Sequence, residues 1–314
     1  MDALIEADGL TKRFGRTTAV DHLSFVVRAG RVTGFVGPNG AGKSTTMRMI
    51  LGLDRPDRGG ALVGGRSYQS LRTPLREVGA LLDPAAVHPG RRAYHHLQWL
   101  AQSNGIPRAR VGAVLELVGL TPVARGRAGR FSLGMRQRLG IAAALLGDPQ
   151  VLMLDEPVNG LDPEGVIWIR GFVRSLAAEG RAVFVASHLM SELEGTADHL
   201  IIIGRGRLIA DTSVADLLGS ASDGSLTVRT PRRAEFMPVL SAAGATVSSN
   251  GTDRLSVTGL GAEQVAKLAA DRRLPLYELT PHRVTLEQAY LRLTRDSVDY
   301  AAGSPPPDDA GKAP

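Results

Sequence analysis

The chain contains no cysteine, which excludes disulfides, thiolate metal sites and cysteine nucleophiles. It also lacks any apolar run of the roughly 18 residues that a membrane-spanning helix needs. The candidates Ile141–Leu146 and Leu200–Ile203 have the length of core segments. The acidic N-terminus has neither the basic flank nor the apolar stretch of a signal peptide. If the protein works at a membrane, we expect another chain to do the crossing.

Aromatic residues and lysines are both scarce. Aromatics make up only 4% of the chain and do not alternate with basic residues, so the sequence gives little support for stacking on single-stranded nucleic acid. The net charge is +6, and nearly all of the positive charge is arginine. The lysines are Lys12, Lys43, Lys267 and Lys312. We interpret the basic excess as a solvated surface and expect no nucleic-acid partner.

The chain has 314 residues, and 43% of them are hydrophobic. Because single cores rarely grow past about 250–300 residues, this length suggests one large domain and one smaller domain. Alternating strand and helix patterns continue to about Leu218, and the small polar stretch Gly219–Gly224 predicts a boundary. The terminal segment is rich in proline and glycine, which predicts disorder. The expected parts are a main domain over 1–219 with a helical subdomain over about 85–148, a C-terminal module over 220–296 and a tail over 297–314.

Periodicity places the elements within these parts. In the main domain we predict strands at Leu23–Arg28, Val32–Val36, Val78–Leu82, Val151–Leu154, Ala182–Ala186, His199–Ile203 and Arg207–Ala210. Helices are predicted at Ser44–Gly52, Arg91–Gln102, Arg108–Val118, Met135–Leu146 and Glu164–Ala178. Strand, helix and strand from Val151 to Ala186 form a right-handed crossover unit of a parallel sheet, so the fold class is α/β. The C-terminal pattern, which includes a predicted strand at Pro275–Leu279, predicts a small α+β module.

A glycine-rich turn lies between the predicted strand Val32–Val36 and the helix that follows it. Residues Gly37–Ser44 fit G-x-x-x-x-G-K-[ST], the P-loop that cradles nucleotide phosphates. Glycines let backbone N–H groups turn toward the phosphates, the lysine adds positive charge, and the serine hydroxyl can bind Mg²⁺. The expected nucleotide-binding residues are Gly37, Asn39, Gly40, Gly42, Lys43, Ser44 and Thr45.

Two carboxylates end the apolar run Val151–Leu154. In P-loop enzymes an aspartate at this place helps to hold Mg²⁺, which suggests Asp155 as a metal ligand with Ser44. The next carboxylate, Glu156, is placed to polarise an attacking water. The alternative is an acidic pair that merely ends a strand. The P-loop in the same chain favours the metal-binding and catalytic roles over this alternative.

These motifs, with those between and around them, resemble the ABC ATPase family over about residues 3–218. Phe131–Arg138 is similar to the family's signature motif, and Asn159–Pro163 is similar to its D-loop. Ser187 and His188 follow a predicted strand where the family has its switch histidine. Phe14 stands where an aromatic that stacks on adenine is expected.

The resemblance implies a RecA-like ATPase core, an antiparallel β subdomain and an inserted helical subdomain. It implies ATP and Mg²⁺ as cofactors and His188 as a second catalytic residue. It also implies a homodimer or pseudo-dimer with ATP sandwiched between two subunits. The P-loop of one subunit then faces Ser132 and Gly134 of the other, and Asp162 of the D-loop is expected among the residues that bind ATP.

Three of these residues have structural alternatives, and the motifs depart from the family at three positions. Phe14 could be a core aromatic, His188 a strand-end cap and Asp162 a turn former before proline. In the signature, Leu133 and Met135 stand where the family has glycine and glutamine. The Q-loop region has Asp83 in place of the usual glutamine; a carboxylate can still bind Mg²⁺, directly or through water.

The subgroup most similar in these details is that of bacterial antibiotic exporters of the daunorubicin- and bacitracin-resistance type. The resemblance therefore implies an ATPase that energises an integral membrane permease on a separate chain, at the cytoplasmic face of the membrane. The C-terminal module is either a dimerising or regulatory appendage or a stability cap. A non-transport ABC ATPase acting on ribosomes or DNA, and a regulatory nucleotide-binding module, are the alternative functions.

Overall fold

The computed structural model describes residues 2–83, 86–222, 224–249, 253–282 and 284–294. The chain divides into two units, one formed by residues up to Val214 together with those from Leu293 onward, the other by Ala215–Arg292. The sequence placed this boundary between 219 and 220, within what is helix in the structure. The predicted tail, 297–314, lies outside the described residues.

The first unit is organised around a six-stranded sheet. Its strands, in spatial order, are β5 (Val78–Leu81), β6 (Val151–Asp155), β7 (Ala182–Ser187), β3 (Arg31–Val36), β8 (His199–Gly204) and β9 (Arg207–Ser213). All neighbours pair in parallel except β8 and β9, which pair antiparallel. The β6 and β7 strands are buried along their whole length, which explains their continuous apolar sequences.

Helices connect these strands, and a second, smaller sheet packs with them. Around the central sheet lie α1 (Lys43–Ile50), α6 (Pro163–Ala178) and α7 (Met190–Leu193). The smaller sheet is antiparallel, with the order β2 (Thr17–Arg28), β1 (Ala3–Phe14) and β4 (Arg58–Val63). Between β4 and β6 come α2 (Pro74–Glu77), α3 (Ala93–Ser103), α4 (Ala109–Leu117) and α5 (Leu133–Ala144). The last three lie within the range 85–148 where a helical subdomain is expected.

Three phenylalanines join the two sheets of the first unit. Phe35 and Phe184, on adjacent strands β3 and β7, stack with ring centroids 5.1 Å apart. Phe25, from β2, lies 5.5 Å from Phe35 and 5.7 Å from Phe184. All three are buried, so this cluster fixes the antiparallel sheet against the core strands that carry the site.

The second unit is a four-stranded antiparallel sheet with helices. Its spatial order is β11 (Thr246–Ser249), β12 (Arg254–Thr258), β10 (Leu226–Arg229) and β13 (Glu278–Pro281). The chain order is strand, helix, two strands, helix, strand, with α9 (Arg233–Ala242) and α10 (Ala262–Asp271) as the two helices. Two further helices are α8 (Val214–Ala221) and α11 (Leu286–Thr294). A core that includes Phe236 and Leu240 of α9 and Val265 of α10 packs these two helices against the sheet.

Most of the predicted elements are confirmed, with ends that shift by a few residues. The predicted strand Pro275–Leu279 is displaced toward the C-terminus, because β13 covers Glu278–Pro281. No strand was predicted at β1, β4 or β11, and no helix at α2, α7 or α8.

Candidate nucleotide site

The carboxyl ends of three adjacent strands bring the predicted motifs together. In the order β6, β7, β3, the middle strand pairs in parallel with both neighbours. Asp155 therefore ends one strand, Ser187 ends the next, and the P-loop follows the third. Ligands of open α/β sheets bind at such carboxyl edges. The sheet topology thus explains how residues more than a hundred positions apart form one site.

Two glycines of the P-loop are required by close packing. A Cβ on Gly37 would lie 2.4 Å from the carbonyl oxygen of Ile203, and one on Gly42 would lie 2.4 Å from that of Ala19. Gly42 also has φ +104°, a backbone conformation that side chains disfavour, immediately before α1 begins at Lys43. These glycines hold the loop against the core, which directs the N-terminus of α1 toward the site.

Lys43 is buried and folds back on its own loop. Its Nζ donates to the carbonyl oxygens of Gly37 at 2.7 Å and of Pro38 at 3.3 Å. The same ammonium lies 3.8 Å from Oε1 of Glu156. Burial lowers the pKa of Lys43, while the charges of Glu156 and Asp155 oppose that fall. The loop thus carries an incompletely compensated positive charge where phosphates would bind.

Asp155 and Ser44 are joined across the sheet edge. The Ser44 hydroxyl donates to Oδ2 of Asp155 at 2.6 Å. The other carboxylate oxygen, Oδ1, is buried and makes no hydrogen bond within the described part of the chain. Burial raises the pKa of Asp155, and the nearby charge of Glu156 adds to the rise. A buried oxygen without a partner beside a hydroxyl is a donor set that fits a hard divalent cation such as Mg²⁺.

Glu156 connects the P-loop side of the site with His188. Its Oε2 shares a hydrogen bond of 2.8 Å with Nδ1 of His188. Its backbone has φ +49°, an uncommon conformation for a residue with a long side chain. Because Lys43 lies at its other oxygen, the carboxylate is held between two basic groups. The structure therefore gives His188 a polar contact in the site.

His188 is preceded by a second polar cluster. The hydroxyl of Ser187 makes a short hydrogen bond with Oε2 of Glu192, and it accepts from the backbone N–H of Leu189 at 3.0 Å. Burial raises the pKa of Glu192 despite the hydrogen bond from Ser187. These bonds fix the turn that carries His188 out of β7.

The signature segment and the D-loop each place a capping side chain at the start of a helix. Ser132 caps α5 by accepting from the N–H of Met135 at 3.1 Å, and Asp162 caps α6 by accepting from the N–H of Gly165 at 2.9 Å. Leu133, where the family has glycine, packs on the D-loop: a Cβ at Gly160 would lie 1.9 Å from its Cδ2. The signature and D-loop segments of one chain therefore contact each other.

The remaining predicted residues lie at the edges of the site. Phe14 is 52% exposed at the end of β1, so it is not a core aromatic; Lys12 Nζ lies 5.6 Å from its ring centroid. Asn39, Gly40 and Thr45 lie in the P-loop and the first turn of α1. Asp83 follows β5 at the same carboxyl edge as Asp155, because β5 and β6 are parallel. Over the described ranges, no three His, Asp or Glu side chains converge as a metal site.

One residue that reaches the site had no predicted role. Gln137 of α5 is fully buried, and its Nε2 donates to the backbone oxygen of Glu156 at 3.1 Å. Gln137 shares a helix face with Ile141 and Ala144, which are buried apolar residues. A polar residue on an apolar helical stripe is a signal of a buried hydrogen bond, because such groups are rarely left without a partner.

Fold and site together define a P-loop ATPase with a helical insertion. Comparison with known proteins refines this class. A sequence model of the ABC transporter family matches residues 20–159, and one of a domain of unknown function matches residues 224–287. An ATP-binding subunit of an ABC transporter, known as a solved structure, superposes with a TM-score of 0.63 at 27% identity, covering 69% of this chain and 92% of that one.

Two curated relatives extend the comparison. The uncharacterised ABC transporter ATP-binding protein YhcH of Bacillus subtilis is 35% identical over 95% of this chain and 98% of its own length. The bacitracin transport ATP-binding protein BcrA of Bacillus licheniformis is 41% identical over 67% of this chain and 70% of its own length. The chain belongs to the ATP-binding proteins of ABC transporters, which hydrolyse ATP to power transport. Within the described ranges, no helix is both long and apolar enough to cross a membrane.

Proposed function

We propose that this ATPase drives the export of an amphipathic, drug-like compound through an integral membrane permease on a separate chain. The similarity to BcrA, a bacitracin transport protein, supports this substrate class. In this proposal the protein lies at the cytoplasmic face of the membrane and works as a homodimer. The observation that carries its role as motor is the carboxylate of Glu156, held between Lys43 and His188 at the edge that carries the P-loop.

The residues suggest a division of labour around a bound nucleotide. The loop Gly37–Gly42, with Asn39 and Gly40 at its exposed tip, would surround the phosphates, with Lys43 neutralising their charge and Thr45 in the first turn of α1 beside them. Phe14, exposed at the end of β1, would stack on the adenine. Glu156 would accept a proton from the attacking water.

His188 would hold the Glu156 carboxylate through its 2.8 Å hydrogen bond and contact the terminal phosphate. The position of a base relative to its water strongly affects the rate, so a carboxylate held from two sides suits this task.

We also propose that Mg²⁺ accompanies ATP. Ser44 and Asp155 would hold it, the latter through the oxygen Oδ1 that has no hydrogen-bond partner in the described part of the chain. Asp83, at the same sheet edge, would contribute through water. When bound, Mg²⁺ neutralises phosphate charge that develops during transfer. Burying Asp155 as an anion costs free energy unless a counter-charge lies beside it. This cost supports a bound cation at Asp155.

The second half of each site would come from another copy of the chain. Ser132 and Gly134 at the start of α5 would face the nucleotide held by the partner's P-loop, with Asp162 at the same interface. In a two-fold dimer each subunit gives both halves, so two equivalent sites form. We further propose that the second unit, Ala215–Arg292, is a dimerising or regulatory appendage.

Mixed dimers test the shared site. Lys43→Ala and Ser132→Arg chains are each expected to be inactive alone. When they are mixed, about half of the dimers are mixed ones, with both defects in one site and none in the other. Independent sites would then restore roughly a quarter of wild-type ATPase activity. The control is a chain with both substitutions mixed with either single variant, which should restore nothing. Equal activity in both mixtures would rule out the shared site.

Reconstitution tests the coupling to export. The chain is purified with a permease encoded beside its gene and placed in vesicles, and ATP-dependent movement of bacitracin or daunorubicin is measured. Glu156→Gln chains serve as the matched control, because they should bind ATP without turning it over. ATP hydrolysis that the permease does not change, and that moves neither compound, would contradict the proposed export function.

A further inference from the structure

The backbone of Glu156 is strained and is held from three directions. Its φ of +49° is a conformation that non-glycine residues keep only when their surroundings fix it. The N–H of Glu156 donates to the carbonyl of Ala186 at 3.0 Å. Its own carbonyl accepts from the N–H of Asn159 at 3.2 Å and from Nε2 of Gln137 at 3.1 Å. Two of these bonds come from β7 and from the local turn, and the third comes from the signature helix α5.

The bond from Gln137 is the one that a side chain supplies. A backbone carbonyl is an acceptor only, so the amide nitrogen of Gln137 must face it. The amide oxygen, Oε1, is buried and has no hydrogen-bond partner in the described part of the chain. A buried amide with one of its two polar atoms left without a partner is costly, and packing alone would favour an apolar residue there. The position therefore calls for an explanation beyond packing.

We infer that Gln137 is a positioning residue for Glu156. By fixing the Glu156 carbonyl, it keeps the strained backbone that aims the carboxylate between Lys43 and His188. Gln137 lies on the helix that Ser132 caps, so the same bond ties the signature segment to the backbone of Glu156 in its own chain. This inference rests on the proposed role of Glu156 as the base that polarises water.

Replacing the amide without changing its length tests the inference. Gln137→Met keeps a long unbranched side chain but cannot donate to the carbonyl. We expect kcat for ATP to fall about 10- to 100-fold, the usual consequence of a catalytic group displaced by about 1 Å. KM for ATP should stay within about twofold, because the bonds of Lys43 and Ser44 are untouched. Gln137→Asn retains the amide but withdraws it by one methylene, and it should show the same loss.

A matched control separates positioning from folding. Ile141→Val removes one methyl group from the same buried face of α5 without touching Glu156. It should lower the melting temperature slightly and leave kcat within about twofold. A kcat within threefold of wild type in folded Gln137→Met or Gln137→Asn protein would overturn the inference. So would a loss of kcat in Ile141→Val as large as that in Gln137→Met.

A double variant distinguishes this inference from the proposed function. If Gln137 acts through Glu156, adding Gln137→Met to Glu156→Gln should lower kcat no further than Glu156→Gln alone. Losses that multiply would show that Gln137 acts elsewhere and would overturn the inference. If Glu156→Gln itself keeps wild-type turnover, the proposed base is wrong, and the inference falls with it. A slow Glu156→Gln variant beside a fast Gln137→Met variant would remove only the inference.

Discussion

Removing the charge of Glu156 while keeping its shape is the most direct perturbation of the site. Glutamine has nearly the same volume as glutamate, so Glu156→Gln should leave the backbone and its packing in place. The side chain loses the negative charge that lies 3.8 Å from Lys43 and the full acceptor strength that faces His188 at 2.8 Å. It can no longer take a proton from an attacking water at neutral pH.

The expected loss follows from the task of a positioned base. General-base catalysis contributes about 10²–10⁴-fold, which corresponds to roughly 3–5 kcal/mol of activation free energy. ATP binding should persist, because Lys43 keeps its hydrogen bonds of 2.7 Å and 3.3 Å to the loop carbonyls. We therefore expect kcat to fall by two to four orders of magnitude with little change in ATP affinity.

The measurement pairs phosphate release with direct ATP binding. Glu194→Gln is the matched control, because it makes the same chemical change at an exposed position shortly after His188. It should leave turnover within about twofold. Turnover of Glu156→Gln within threefold of wild type would refute the role of Glu156. A loss of ATP binding as large as the loss of turnover would also refute this role, because the substitution would then weaken ATP binding rather than slow the chemical step.

Three further predictions test other parts of the structure. Burial raises the pKa of Asp155 above its ordinary 3.8, so the folded state holds this proton more tightly than the unfolded state does. The free energy of unfolding therefore falls as pH rises through the raised pKa. Asp155→Asn should therefore melt higher than wild type at pH 7 without nucleotide, with the gain vanishing below about pH 4; an unchanged or lower melting temperature at pH 7 would contradict this. If Asp83, in the Q-loop region, transmits the nucleotide state to the permease, Asp83→Ala should keep basal ATPase activity but lose stimulation by the permease; unchanged transport per ATP would exclude that role. Phe184→Ala should destabilise the first unit by about 3–5 kcal/mol in urea unfolding, since the ring is buried between two others.

The sequence was most informative where local chemistry and periodicity agree. The apolar runs that became β6 and β7 are buried on both faces, so their composition alone predicts parallel strands. Their order beside β3 then brings the ends of three strands together, which is why the meeting of Lys43, Glu156 and His188 was predictable from motif order. Strands determined by distant pairing were missed. The β4 strand begins Arg58-Gly59-Gly60, a weak strand sequence that forms because it pairs with β1.

Other features depend on geometry that no motif encodes. The β1 strand is interrupted by register shifts against β2, which break the alternation that predicts a strand. The contact of Leu133 with Gly160 and the bond of Gln137 to Glu156 join segments that are more than fifteen residues apart. Leu133 and Gln137 both lie in α5, and the sequence of that helix does not show which distant residue either of them contacts. Only the packing of α5 against the end of β6 gives each of them a role.

The nucleotide site is built from groups that each destabilise the ligand-free fold. Asp155 is buried with one oxygen that has no hydrogen-bond partner among the described residues, the charge of Lys43 is poorly solvated, and Glu156 has a strained backbone. A cation beside Asp155 and phosphates beside Lys43 would remove the first two costs, because each charge then gains a counter-charge. Binding to the folded state alone also stabilises it by mass action. ATP with Mg²⁺ should therefore raise the melting temperature of wild type, and Asp155→Asn should lose much of that rise although it is more stable without ligand. Charged groups that bind a ligand thus lower the stability of the ligand-free protein, and removing such a group raises that stability while weakening binding.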